Sequence, residues 1–461
     1  MAGKWPYKRV EQIALKIAMG PFGSSIKVET FTDSGIPIIS GQHLREAQVT
    51  DGDFNFITEA HADSLKNANV QRGDVIFTHA GNIGQVAFIP DDSAYQRYVI
   101  SQRQFYLRCN TDLILPEFIT YYFKTPEGQH RLLANANQVG VPSIARPSSY
   151  LKTIEVPTPS IEEQQVVVRN IKTLDAKIRL NIGINQTLET MAQAIFKSWF
   201  VDFDPVKAKI AAKANGRDPL RAAMTAISGK PDAELETLPP DQLAPLAATA
   251  ALFPDEMEDS ELGEIPKGWQ VKTLMQIARF PSGKIEVSSV DTSTYVSTEN
   301  MLENRGGICE ASALPSVPTV PSFSAGQVLG SNIRPYFKKI WLARFAGGRS
   351  NDVLAFQPLD SETSEFLFNL LYQDQFFEFM NRTAKGAKMP RGDKDAIAGW
   401  KFVSANSALL QHFSAKVRSS YGFIDSIRQE SMLLAAARDA LLPKLLSGEL
   451  QVQTIEPEVA A

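Results

Sequence analysis

A chain of 461 residues with 44% hydrophobic residues and a formal net charge of -4 at pH 7 is too long for one core and too apolar for a disordered polymer, so two or three folded domains are expected. Its two cysteines, Cys109 and Cys309, fit no metal or redox spacing, which points to a reducing compartment without disulfides. No apolar run approaches a membrane span, and the basic start with Lys4, Lys8 and Arg9 lacks the apolar stretch of a signal peptide, so a cytoplasmic protein without membrane contact is expected.

In chain order, the first folded segment spans 1–157. After Trp5 comes "GQHLRE", with Gln42, His43 and Arg45, and then a strand–loop–strand launched at Gly73, "GDVIFTHAGNIGQVAFIP". Its loop offers Thr78, His79 and Asn82, and "GNIG" (81–84) is expected to be a tight hairpin turn in which glycine supplies the backbone freedom. The alternating run "QFYLRC" reads as a further strand, and "VPSIARP" carries Arg146 near the segment's end. Arg, Asn and Gln read base edges bidentately, and Lys and Arg hold phosphates, so these loop residues are candidates for a nucleic-acid contact. The plainer alternative for any one of them is a solvated surface residue.

A helix is expected over 158–202, roughly 40 residues or about 60 Å at 1.5 Å per residue. It starts at "PSIEEQQ", where Ser160 and Glu163 have the spacing of a capping box. Ile171, Ile178 and Trp199 fall on one heptad position and Leu174, Leu188 and Ile195 on the other, with Asn185 interrupting the seam. "SWFVDFDP" (198–205) ends the helix in an apolar knot of Trp199 and Phe200, expected to plug the seam against the partner helix and the neighbouring globular domain. Residues 203–264 follow as an Ala- and Pro-rich acidic connector, in which short helices but no packed domain are expected. The stretch 202–263 carries twice as many acids as bases, so the rest of the chain is close to neutral and has room for local basic patches.

Residues 265–403 repeat the first segment, with Trp269, a strand–loop–strand from Gly326 ("GQVLGSNIRPYFKKIWLA") and the β-rich run "DVLAF". Arg334, Lys338 and Lys339 belong to that loop, and "NRTAKGAKMPRGDK" adds Arg382, Lys385, Lys388, Arg391 and Lys394 against the single acid Asp393, a density expected to lie against DNA. A second long helix is expected over 404–450, followed by a tail, 451–461. Val417, Ile424 and Leu445 hold one heptad position and Ile427, Leu434 and Leu441 the other, and Ser431 breaks this seam where Asn185 breaks the first. A single such seam would be an ordinary amphipathic helix of a globular core. Two in one register, each following a similar domain, favour a coiled coil between the halves. The expected fold class is α+β: two globular mixed α/β domains separated by two long helices that form an antiparallel coiled coil, in a pseudo-twofold repeat.

Catalytic motifs are missing. The only Pro-Pro, in "TLPPDQ", lacks the residues that hold an extruded adenine, "FAGGRS" breaks a Gly-rich cofactor turn at Arg349, and there is no phosphate-binding loop. None of the five histidines pairs with Cys or a carboxylate at metal spacing. These absences favour a recognition or scaffold protein.

The chain resembles the specificity subunit of type I restriction-modification systems. The resemblance rests on "GPFGSSIK" (20–27), "SGIPIISGQHL" (34–44), "GDVIFTHAGNIGQVAF" (73–88), "VPTPSIEEQQ" (156–165), "WFVDFDPVKAK" (199–209), "TAALFPDEMEDSELGEIPKGW" (249–269), "GAKMPRGD" (386–393) and "LLPKLLSGEL" (441–450). The second half departs from it in having "SANSALLQ" (404–411) where the first has "PSIEEQ". The resemblance implies two target-recognition domains that each read one half of a bipartite, non-palindromic DNA target, spaced by the coil. It implies double-stranded DNA, two methyltransferase subunits and restriction/translocase subunits as partners. No cofactor would be bound by this chain; S-adenosylmethionine, ATP and Mg would serve the partners. A coiled-coil scaffold that never touches DNA, and a DNA-modifying enzyme with an unrecognised site, are the rival readings.

Overall fold

Central strands whose two faces are both covered read as continuous apolar runs, and "DVIFT" is such a run: every residue of the strand Asp74–Thr78 is buried. Side chains alternate across it. Val75 and Phe77 join a core with the helix Pro116–Lys124, while Ile76 faces a second core with Val99 and Ile100. The computed structural model describes residues 5–23, 25–137, 140–386 and 388–450, so the expected tail 451–461 lies outside the described residues, as do residues 1–4, Ser24 and Ala387 of the quoted motifs. The chain divides into two units, one of residues up to Ile182 together with those from Arg428 on, the other of Gly183–Ile427.

The first unit holds two four-stranded sheets. One has the order Ala14–Met19, Gln104–Cys109, Asp74–Thr78, Val86–Phe88, antiparallel throughout. The other has the order Asn55–Ile57, Ile36–Ile39, Arg97–Ile100, Asn69–Gln71, with a parallel pair at its centre. Arg108, on an inner strand, is held by the buried Asp74 carboxylate through two hydrogen bonds of 2.8 and 2.7 Å. The hairpin loop is longer than a tight turn: residues 79–85 separate the two strands, and Gly81 and Gly84 both take left-handed backbone angles (φ 83° and 86°).

The second unit repeats this plan. Ala278–Arg279, Val353–Pro358, Val328–Ser331 and Ile340–Leu342 form the first sheet in the same order, and Tyr295–Val296 again runs parallel to a central strand, Gly347–Arg349. Gly73 and Gly326 open equivalent strands with the same left-handed angle (φ 82° and 83°). The repeat differs at an edge, where Lys284–Glu286 pairs with Thr319–Phe323.

Two helices of 40 residues each, Ile161–Phe200 and Ser407–Leu446, contribute a half to either unit. The first starts as its sequence predicts: the Ser160 N–H donates to Glu163 (2.9 Å) and the Glu163 N–H to Ser160 Oγ (3.3 Å). The second starts after the strand Lys401–Ser404, with Asn406 Oδ1 accepting from the Leu409 N–H at 3.0 Å. In the first unit the helices pair antiparallel: Asp175 bonds Arg438 at 2.7 Å, and two turns on Asn181 bonds Glu430 at 2.8 Å and Ser431 at 3.2 Å. In the second unit Gln193 meets Tyr421 and Phe196 meets Phe413 in the same sense. The connector is more ordered than its composition suggests. Asp204–Ala214, Pro219–Ser228 and Pro240–Ala251 are helices, and Ala223, Met224, Leu235 and Ala250 make a small core among them. Alanine lets these helices approach closely, and Val206 and Phe253 anchor the segment in the core of the second unit.

Candidate nucleic-acid interface

In the first unit the recognition candidates gather where the strands Asp74–Thr78 and Gln104–Cys109 end side by side. Around this rim Gln42, Arg45, Thr78 and Asn82 line a cavity of about 340 Å³. Two candidates do not face solvent. His43 is 3% exposed; its Nδ1 accepts the Ser40 N–H at 3.0 Å and its ring stacks on Phe54 at 4.4 Å. Thr78 is 2% exposed and donates to Gln85 Oε1 at 3.2 Å. Both are therefore framework rather than contact residues, because burial has turned their polar atoms inward. Gln42 is exposed but donates to the Asp53 carbonyl at 3.1 Å, and His79 Nε2 lies 3.2 Å from the Gln102 carbonyl. Burial lowers the pKa of both His43 and His79, so neutral rings are favoured. Arg45, Asn82 and Arg146 are exposed, and Arg146 takes a left-handed angle (φ 46°) before Pro147.

In the second unit the corresponding rim carries Arg334, half-buried and left-handed at φ 49°. Lys338 also is left-handed, and its ammonium is taken by Asp374 at 2.7 Å, a carboxylate shared with Arg305. Lys338 and Arg305 together hold the Asp374 carboxyl below the usual range. Lys338 is thus committed within the fold rather than offered to DNA. Lys339 donates to the Thr298 carbonyl at 2.8 Å with its ammonium over Phe337. The basic loop is less charged than its sequence implies. Lys385 pairs with Asp393 at 2.5 Å and Arg391 with Asp352 at 3.2 Å, an acid distant in sequence. Arg382 lies over the Phe379 ring, and Lys388 and Lys394 are exposed without an ion pair among the described residues. Residues 385 and 391 bridge each other, and 391 bridges Ile333, so this loop lies beside Arg334.

On the first helix Ile171, Trp199 and Phe200 are buried, with Leu174, Ile178, Leu188 and Ile195 half-buried; on the second Val417, Ile424, Ile427 and Leu445 are buried and Leu434 half-buried. Leu441 is 37% exposed, and its neighbour Leu442 is buried in its place. A straight helix drifts about 20° per heptad from a seven-residue repeat, so the buried stripe has moved by one residue at the last turn. The Trp199 ring meets Phe253 and Phe413, and Phe200 meets Trp269 and Phe366. In the first unit Leu445 and Leu446 share a core with Trp5.

Sequence reasoning passed over Arg103. It is exposed at the rim, and its guanidinium makes no hydrogen bond or ion pair among the described residues. Its only signal in the sequence is its place before the strand that begins at Gln104. Among the described residues no group of three or more His, Cys, Asp or Glu is placed to hold a metal, and no helix is long and apolar enough to cross a membrane.

Known proteins resemble this chain along most of its length. The Type I restriction modification DNA specificity domain family matches residues 5–190. The HindI specificity subunit of the type I restriction enzyme of Haemophilus influenzae is 30% identical over 413 residues, 83% of this chain and 87% of that protein. The MjaIX specificity subunit from Methanocaldococcus jannaschii is 23% identical over 98% of this chain and 94% of its own length. A crystal structure of a type I restriction-modification S subunit from M. genitalium superposes with a TM-score of 0.53 at 17% identity, covering 96% of both chains, and so shares the fold. A duplicated sheet domain, a pair of long antiparallel helices and 30% identity across most of a specificity subunit converge: this chain belongs to the family of type I restriction-modification DNA specificity subunits.

Proposed function

We propose that each unit reads one half of a bipartite, non-palindromic DNA target, and that the long helices and domain flanks carry two methyltransferase subunits, which a restriction/translocase subunit joins for cleavage. The chain supplies the address and the partners the chemistry: S-adenosylmethionine, ATP and Mg belong to them, and the assembly works in the cytoplasm on double-stranded DNA. The observation that carries this reading is the repeated rim. The same backbone junction occurs in both units, but beside it stand Asn82, Arg45 and Arg146 in one and Arg334, Lys388 and Lys394 in the other. Equal scaffolds with unequal side chains read unequal half-sites. The test is an exchange of residues 1–157 for the matching domain of a relative, followed by sequencing of adenine methylation in cells that express the system. One half of the methylated motif is expected to change and the other to stay. A change in both halves would end the idea of independent reading.

A further inference from the structure

The two rims share three backbone hydrogen bonds. His79 N–H donates to the Arg103 carbonyl (2.9 Å) as Asn332 N–H donates to that of Asp352 (2.8 Å). Gly81 N–H donates to Pro142 (2.9 Å) as Arg334 N–H donates to Pro390 (2.8 Å), and Ile144 N–H donates to His79 (2.8 Å) as Gly392 N–H donates to Asn332 (3.0 Å). Gly81 therefore corresponds to Arg334, and Arg103 to Asp352. Both members of the first pair are left-handed, φ 83° and 49°. A non-glycine residue pays strain there, and such strain persists where a side chain is needed.

The arginine has changed places. In the second unit Arg334 grows from the left-handed position, and the position opposite is Asp352, spent on Arg391. In the first unit the left-handed position is glycine, and the opposite residue, Arg103, fills the vacated space: its Nη1 lies 3.2 Å from where a Gly81 Cβ would stand. Among the described residues, each junction thus receives one guanidinium that is not spent on an ion pair, Arg103 in the first unit and Arg334 in the second, delivered from opposite sides of it. Around Arg103 the amides are occupied: Gln85 donates to the Gly41 carbonyl at 3.0 Å and accepts from Thr78, Gln104 accepts from Ser101, and Gln42 donates to Asp53. These amides are internally satisfied, while among the described residues Arg103 keeps its whole donor fork free at the 340 Å³ cavity.

We infer that Arg103 is a specificity-determining residue of the first unit, reading a guanine of its half-site through the O6 and N7 edge, and that Arg334 holds the equivalent place in the second. The inference rests on the DNA-recognition reading above. A planar fork matches guanine O6 and N7 in a fixed geometry, and a lysine keeps the charge but not the rigid fork. The experiment measures methylation of duplexes varied one base pair at a time, by the full chain assembled with its methyltransferase partner, as parent and as Arg103→Lys. The expected result is a roughly tenfold to hundredfold loss of discrimination at one G·C pair of the first half-site, with the second half-site unchanged. Placing 7-deazaguanine at that pair should weaken methylation by the parent itself, a readout that needs no variant and so does not depend on how the variant folds. Discrimination retained at every pair of the first half-site, or relaxed only at an A·T pair, would overturn the assignment while leaving DNA recognition intact. A parent without any sequence preference would overturn the DNA reading itself.

Discussion

At the residue scale the repeat makes a prediction about pH. His43 in the first unit and Asn300 in the second do one job, accepting the N–H of a serine three residues earlier: Ser40 at 3.0 Å and Ser297 at 2.6 Å. Burial lowers the His43 pKa, so the folded ring refuses a proton that the unfolded ring takes up near pH 6.5. The unfolded state then binds more protons, and stability falls as pH drops through that value. His43→Asn should keep the serine bond and remove part of this acid sensitivity. It should also lose the Phe54 stacking contact, at about 0.5–1.5 kcal/mol near neutrality. Urea unfolding at pH 7 and pH 5 checks it: an acid-induced loss of stability as large in the variant as in the parent would show that His43 is not the sensor. Residue types were legible in the sequence, but their directions were not. "GQHL" and "THAG" announce polar side chains, yet only the fold shows that His43 and Thr78 bond inward and that Arg103, an unremarked neighbour of a strand, faces out.

At the element scale the sequence carried much more. A capping box, a heptad seam and a second seam in the same register are local signals for the two long helices, and the strand–loop–strand runs from Gly73 and Gly326 are the local signal for the duplicated sheets. Two things escaped. The connector's small core gathers Ala223, Met224, Leu235 and Ala250 from separate short segments that composition alone reads as linker, and the drift at Leu441 arises because 3.6 residues per turn do not divide seven. The seam also contains a polar residue whose cost is testable. Asn185 is 8% exposed, and its Oδ1 is buried without a hydrogen-bond partner among the described residues. Asn185→Leu should therefore raise the stability of the folded chain by about 1 kcal/mol. Asn181→Leu should lower it by a similar amount, since Asn181 donates to Glu430 and Ser431. Thermal unfolding of the two variants under one buffer gives the comparison. A melting point for Asn185→Leu below that of the parent would mean that its amide has a structural role the packing does not reveal.

At the scale of the whole molecule, the second unit is one uninterrupted stretch, Gly183–Ile427, whereas the first is assembled from two distant pieces of chain. Leu442, Leu445 and Leu446 fill the first core beside Trp5 and Val156, and Gly448 lies so close to the Trp5 ring that a Cβ there would stand 2.7 Å from Nε1. A chain ending at Ile427 loses all three leucines. At roughly 2–5 kcal/mol for each large-to-small loss of this kind, the deficit rivals the about 5–15 kcal/mol that a domain has in total. Limited proteolysis of that truncated chain should spare a fragment near 183–427 and degrade 5–182; equal resistance of both would refute the dependence. The same arrangement sets an order of events on the ribosome. The half made first is completed after the other, because its closing piece, from Arg428 on, follows the whole of the second unit. At about 5–20 residues per second, the strands around Val75 and Phe105 wait on the order of tens of seconds for Leu442 to arrive. During that interval their apolar faces are open to chaperones and to other nascent chains, so expression yield should depend on chaperone supply more steeply for substitutions in the first sheet than for matching ones in the second.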